Sequence, residues 1–260
     1  SVDSGHINVH ETGAIEATGH KVLTYPNSNG KLTREGIEFI MNSHPDFHMV
    51  KPGIVYISNS TETGTVYSKQ ELISLSETCK KYNLYFYIDG ARLGCALTSK
   101  ICDYTISEMA SLCDAFYIGG TKNGLILGEA LVVLNEKLNE EIRYAIKCHG
   151  GMYAKGFVNG IMFNALFTDN LFFDIAKKEN ELAEKLYNEL KQLGIEFLAE
   201  QETNQIFPIF KTSIIDKLTK EIDCEIWNSD KDNTTVRFVT SFLTTDEDVV
   251  AAINIIKELI

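Results

Sequence analysis

Apolar residues along this chain first gather into four short β-rich runs: GIVYISN (53–59), LYFYID (84–89), DAFYIGG (114–120) and LILGEALVVL (125–134). Branched and aromatic side chains dominate them, and glycine, asparagine or aspartate bounds them, which is the pattern of strands. Between the first two runs, Ser68-Lys69-Gln70-Glu71 has the spacing of a capping box and predicts a helix reaching about Tyr82. A second helical stretch, around Ile106–Cys113, precedes the third run. Strand–helix–strand order implies parallel pairing, so an α/β fold with a mainly parallel sheet is expected. Ligands of such sheets bind beyond the carboxyl ends of the strands. Asp89 closes the second run and Lys122 follows the third, so both are expected on one edge of the sheet.

From about residue 155 the texture changes. A long helical pattern covers Phe157–Leu193 and should break near Thr168-Asp169-Asn170. IEFLA, QIFPIF, a helix around Ser213–Glu221, two strands near CEIW and TVRFVTSF, and a helix from about Asp246 follow. This order predicts a smaller α+β domain with an antiparallel sheet over 156–260, after a large domain over 1–155.

The net charge of −12 repels phosphate backbones and anionic lipid, which argues against nucleic-acid and membrane-surface partners. No apolar run approaches a membrane span, and the opening SVDSGHINVH lacks the features of a signal peptide. The six cysteines (79, 95, 102, 113, 148 and 224) include no CxxC pair and read as reduced thiols of a cytoplasmic protein. His6/His10 and His44/His48 have the i,i+4 spacing of helical metal pairs. INVH reads as extended, however, and Pro45 interrupts the second pair, so no metal site is expected.

Two motifs carry candidate chemistry. In Gly119-Gly120-Thr121-Lys122-Asn123-Gly124, glycines flank a lysine directly after a strand, permitting a tight turn and close approach of a planar ligand. Taken alone, a surface loop with a solvated lysine explains it as well or better. It is not a Walker loop, since the GxxxxGK[ST] spacing is absent. Asp89-Gly90-Ala91-Arg92 places an acid at a strand end, where it reaches a cleft or simply caps the following helix.

Together with HINVHETGAIEATGHKV, NSTETGTVYSKQEL, YIDGARLGCAL and TTVRFVTSF, in that order, GGTKNG resembles the threonine aldolase and aromatic amino acid β-eliminating lyase family. The resemblance implies the fold-type-I aminotransferase-like scaffold, pyridoxal phosphate as cofactor, a small amino-acid substrate, and a homodimer or homotetramer. By the same resemblance, Lys122 matches the lysine that holds the cofactor covalently through its amine. Asp89 matches the acid facing the pyridine nitrogen, His6 the histidine stacked on the ring, and Thr121 a residue offered to the phosphate. Arg237 matches the arginine gripping the substrate carboxylate, and Arg92 one near the ring oxygen or that carboxylate. His48, in PDFHMVKP, resembles a second histidine near the substrate β-hydroxyl; an ordinary loop histidine is the competing reading.

The resemblance also implies an N-terminal segment, with a phosphate-binding small-residue turn and a serine near the substrate carboxylate, that has no counterpart before His6. At Lys147-Cys148-His149-Gly150-Gly151 relatives often carry an arginine that this chain lacks. The expected reaction is cleavage of a β-hydroxy-α-amino acid, such as threonine or allo-threonine, to glycine and an aldehyde. β-Elimination from another amino acid, and a truncated non-catalytic homologue, are the alternatives.

Overall fold

The computed structural model describes residues 1–27 and 29–260. Two short helices, α1 (His6–Val9) and α2 (Ala14–Ala17), open the chain. INVH is therefore a helical turn and not the extended segment expected. Asn8 N–H donates to the Gly5 carbonyl at 2.8 Å and His10 N–H to that of His6 at 2.9 Å. Helix α3 (Arg34–Ser43) starts at Thr33, whose hydroxyl accepts from the Gly36 N–H.

Strand β1 (Ile54–Ser58) leads to helix α4 (Lys69–Tyr82), which begins at the capping box read from the sequence. The Ser68 hydroxyl accepts from the Glu71 N–H, and the Glu71 carboxylate accepts from that of Ser68. Asn83 ends the helix in the left-handed conformation. Leu72, Leu75 and Cys79 form its buried stripe at i, i+3 and i+7. Strand β2 (Tyr85–Asp89), helices α5 (Leu93–Leu97) and α6 (Ile106–Ala110), and strands β3 (Ala115–Ile118) and β4 (Ala130–Val133) complete the first sheet.

That sheet has the order β1-β2-β3-β4. The first three strands are parallel, but β4 runs antiparallel to β3. Residues 119–129 form a turn with no crossover helix, so the chain reverses at β4 and the sheet is mainly parallel, as expected. Alternation sorts the faces. Val55, Ile57, Phe86, Ile88, Phe116 and Ile118 are buried in one core with Leu72, Leu75, Leu93 and Met109. Tyr56, Tyr87 and Asp89 project from the opposite face, and Tyr117 follows one position beyond the last β2–β3 pair.

Helices α7 (Glu136–Asn139), α8 (Ile142–Cys148) and α9 (Phe157–Leu166) precede a break at Thr168–Asn170, where Asp169 and Asn170 have φ of 51° and 62°. The break lies at the polar cluster read from the sequence. Helix α10 (Leu171–Gln192) follows, then strands β5 (Glu196–Phe197), β6 (Gln205–Ile206) and β7 (Pro208–Lys211). Helix α11 (Ile215–Glu221), strands β8 (Glu225–Ser229) and β9 (Asn233–Val239), and helix α12 (Asp246–Leu259) end the chain. All pairings in this second sheet are antiparallel, with β9 bonded to β6, β7 and β8.

Each sheet has its own core. Phe172, near the start of α10, belongs to the first, while Leu182, Leu186 and Leu190 of the same helix join Ile206, Phe210, Val236, Phe238 and Ile253 in the second. A polar seam also ties the two sheets. Thr203 Oγ1 donates to the Gly64 carbonyl at 2.8 Å, Val66 N–H to Glu202 at 2.6 Å, and Ser99 Oγ to the Glu202 carbonyl at 2.6 Å. All six cysteines are free. No helix among the described residues is long and apolar enough to cross a membrane.

Candidate active site

The loops after β2 and β3 are fastened to each other, which brings the DGAR and GGTKNG motifs to one sheet edge. Gly119 N–H donates to the Gly90 carbonyl at 2.9 Å. The fully buried Asn123 donates from Nδ2 to the Ala91 carbonyl at 3.1 Å and to that of Gly119 at 2.6 Å. Close backbone packing accounts for the glycines. A Cβ on Gly90 would stand 2.0 Å from the Tyr117 carbonyl oxygen, and one on Gly119 2.2 Å from that of Ala91. Gly90 and Gly119 thus permit close contact between the two loops.

Asp89 is buried at the carboxyl end of β2. Its Oδ1 accepts the Ala91 N–H at 2.9 Å, and its Oδ2 accepts the phenol of Tyr56. Tyr56 and Tyr87 stack at 5.3 Å between ring centres. Burial, then the negative charge of Asp89, raises the pKa of Tyr56, Tyr87 and Tyr117 above the ordinary phenol value. All three stay protonated, so the acid faces potential donors and no competing anion.

Lys122 lies within electrostatic range of this acid. The residue is exposed, yet desolvation of its ammonium and next the charge of Arg92 lower its pKa, with Arg237 adding to the effect and Asp89 and Glu129 opposing it. Arg92, at the start of α5, is itself lowered by burial and then by Arg237. Arg237 comes from β9 of the second sheet, so two arginines and a lysine from separate elements feel one another around one carboxylate. Guanidinium groups placed at a sheet edge suit a carboxylate or phosphate ligand.

Behind Arg92 lies a buried acid. Glu179 of α10 accepts the Cys95 thiol at 3.0 Å on Oε2, while Oε1 makes no hydrogen bond of good geometry among the described residues, although the Phe242 backbone lies close enough to favour the anion. Burial raises its pKa to about 7, against the opposing influence of the Cys95 bond and the Arg92 charge.

The other residues singled out from the sequence have different surroundings. Thr121 donates its hydroxyl to Glu129 Oε1 at 3.0 Å, and Gly120 N–H donates to Glu129 Oε2 at 2.6 Å, so that carboxylate braces the lysine's turn. His6 is tethered to the site's flank through its backbone: its N–H donates at 2.8 Å to Glu62 Oε1, which also accepts Ser58 Oγ at 2.6 Å. Ser58 is the register partner of Asp89. The His6 ring itself meets Glu11 and lies 4.8 Å from that of His10. His48 sits in an exposed turn, its side chain 77% accessible, beside Asp46 and Phe47. Among the described residues, no hydrogen bond links it to the Lys122 group.

Residues 2–213 match the profile of the Beta-eliminating lyase family. The chain belongs to the beta-eliminating lyase family. Among similar members, the low specificity L-threonine aldolase of a Pseudomonas species (strain NCIMB 10558) is 32% identical over 208 residues. That match covers 79% of this chain and 60% of the relative. A protein of Cochliobolus carbonum named alanine racemase TOXG is 29% identical, covering 84% of this chain and 58% of its own. The solved structure of Leishmania major threonine aldolase superposes with a TM-score of 0.97 at 43% identity, over all of this chain and 76% of that one. The lyase fold expected from the sequence, with its mainly parallel sheet and helices, is the fold observed.

Several parts of the candidate site were not read from the sequence. Tyr56 looks like an ordinary strand residue, and only the β1–β2 register brings its hydroxyl to Asp89. Glu129 meets its partners across a turn, and Glu179 is distant in sequence from Cys95. Asn123 alone had a signal, since it lies inside GGTKNG, but its side chain turns away from any ligand to join two loops.

Proposed function

We propose that this chain binds pyridoxal phosphate through Lys122 and cleaves a β-hydroxy-α-amino acid of the threonine or allo-threonine type to glycine and an aldehyde. The observation carrying this reading is a lysine of lowered pKa within electrostatic range of the buried acid Asp89, with Arg92 and Arg237 close enough to perturb it. The residues suit the reactive end of the cofactor. Asp89 accepts hydrogen bonds on both oxygens and keeps lone pairs for a protonated ring nitrogen. A lowered pKa leaves more of the Lys122 amine unprotonated and nucleophilic near neutrality. When bound, pyridoxal phosphate would supply an electron-accepting ring for the pair released at the substrate's α-carbon.

Within the chain, Arg237 and Arg92 would hold the substrate carboxylate and so orient the α-carbon. His6 is proposed as the residue covering the ring, and His48 as a group near the β-hydroxyl. Thr121 would turn toward the phosphate only by giving up its bond to Glu129. A homo-oligomer and a cytoplasmic setting complete the reading. Exposed Phe157, Val158 and Ile161 on α9 offer a face suited to a second copy.

Treatment with pyridoxal phosphate followed by borohydride should place a pyridoxyl group on Lys122 alone, located by peptide mass spectrometry and absent from Lys122→Ala. Label spread over surface lysines would refute the cofactor site. A second reading, β-elimination, draws on the family's own description. Release of glycine and an aldehyde supports cleavage, whereas pyruvate and ammonia support elimination.

A further inference from the structure

Arg237 is engaged by another side chain of its own sheet. It pairs in register with Glu225 of β8, whose Oε2 forms an ion pair with Nη2. The indole of Trp227, on the same strand as Glu225, lies 5.7 Å from the guanidinium carbon, and Phe207 meets that indole edge-on at 5.1 Å. Arg237 Nε, in contrast, is buried and has no hydrogen-bond partner among the described residues.

A guanidinium receives a carboxylate in two-point fashion along either the Nε–Nη2 edge or the Nη1–Nη2 edge. Both edges include Nη2, the nitrogen held by Glu225. Nη2 has one hydrogen on each edge, so a second carboxylate on the Nε–Nη2 edge would stand beside that of Glu225, and repulsion between the two anions would weaken its hold. The bare Nε marks the edge that lacks its anion. The pair is also releasable: Arg237 is 21% and Glu225 44% exposed, and partly solvated ion pairs are weak.

We propose that Glu225 is an internal competitor for the substrate carboxylate, occupying Arg237 in the free protein and setting how tightly the amino acid is held. The proposal rests on the reading of Arg237 as the carboxylate grip. Glu225 takes no part in bond making. It is a specificity-determining residue that discriminates against ligands unable to offer two oxygens to the guanidinium. Trp227, stacked on that guanidinium, positions it for the exchange.

The chain has a single tryptophan, so its emission reports on this place alone. Titration with glycine should change Trp227 emission, and glycine methyl ester, which keeps the amine but has no carboxylate anion, should not. Glu225→Gln preserves size and some hydrogen bonding on an exposed strand. It should bind glycine about two- to five-fold more tightly, the range expected when a weak competing ion pair is removed. In the reaction, the same variant should lower KM by a similar factor with kcat unchanged, a split that general structural damage would not produce. Arg237→Gln should abolish the emission response. Unchanged or weaker glycine binding by Glu225→Gln, with the response still lost in Arg237→Gln, would overturn the competitor role and leave the grip intact. A response that survives Arg237→Gln would overturn the grip, and the competitor role with it.

Discussion

The buried carboxyl of Glu179 should make the stability of this protein depend on pH in a direction that one substitution can expose. Its folded pKa of about 7 exceeds the ordinary 4.5, chiefly because burial disfavours the anion. The folded chain therefore holds this proton more firmly than the unfolded chain does. The resulting stabilisation is complete below pH 4.5, declines as pH rises, and is gone above about 7. The shift corresponds to about 3 kcal/mol. Glutamine at 179 keeps the volume and cannot ionise. Relative to wild type, Glu179→Gln should gain about 3 kcal/mol of stability between roughly pH 4.5 and pH 8. For a chain of this size that is roughly 6–12 °C in Tm. Thermal unfolding of both proteins, at pH values near 5 and near 8, measures it. A Tm difference that does not change with pH would show that the carboxyl is not held protonated, and the reasoning from burial would fail.

Three further substitutions probe the site and its frame. Tyr56→Phe removes a buried donor from the Asp89 carboxylate and should cost about 1.5–3 kcal/mol in urea unfolding; an unchanged midpoint would mean that Asp89 needs no such partner. Gly90→Ala places a methyl 2.0 Å from the Tyr117 carbonyl oxygen, so β3 and the DGAR loop must part. About 1–3 kcal/mol should be lost, together with labelling of Lys122 by pyridoxal phosphate and borohydride. Ser68→Ala removes a helix cap distant from those loops. It should cost about 1 kcal/mol while leaving Lys122 labelling intact.

Most of the framework was legible because it rests on local patterns. The capping box at Ser68 marks where α4 begins, and the Thr168-Asp169-Asn170 cluster marks the break before α10. Chain reversal at β4 was not legible, since LILGEALVVL looks like any other apolar strand and direction depends on the length of the connection. INVH misled for a related reason: Ile7 and Val9 alternate as in a strand, yet a single turn closed by the Gly5 and His6 carbonyls satisfies the backbone. At the site, Lys122 and Asp89 could be named through the resemblance of their motifs to a lyase family, since GGTKNG alone reads as a surface loop and DGAR as a helix cap. Tyr56, Glu129 and Glu179 could not, because they reach their partners through strand register, a turn and helix packing respectively.

Helix α10 begins in the core that supports Lys122 and continues into the core that supports Arg237. Its 22 residues make a rod roughly 33 Å long, and so act as a ruler between the two halves of the site. A bend of about 5° at its middle would swing the far end by about 1.4 Å over half that length. Misplacement by about 1 Å can cost a hundredfold in rate. Ala176 and Ala183, small and buried along the rod, are therefore alignment points. Proline at either would detune the distance between two charged groups that it never touches.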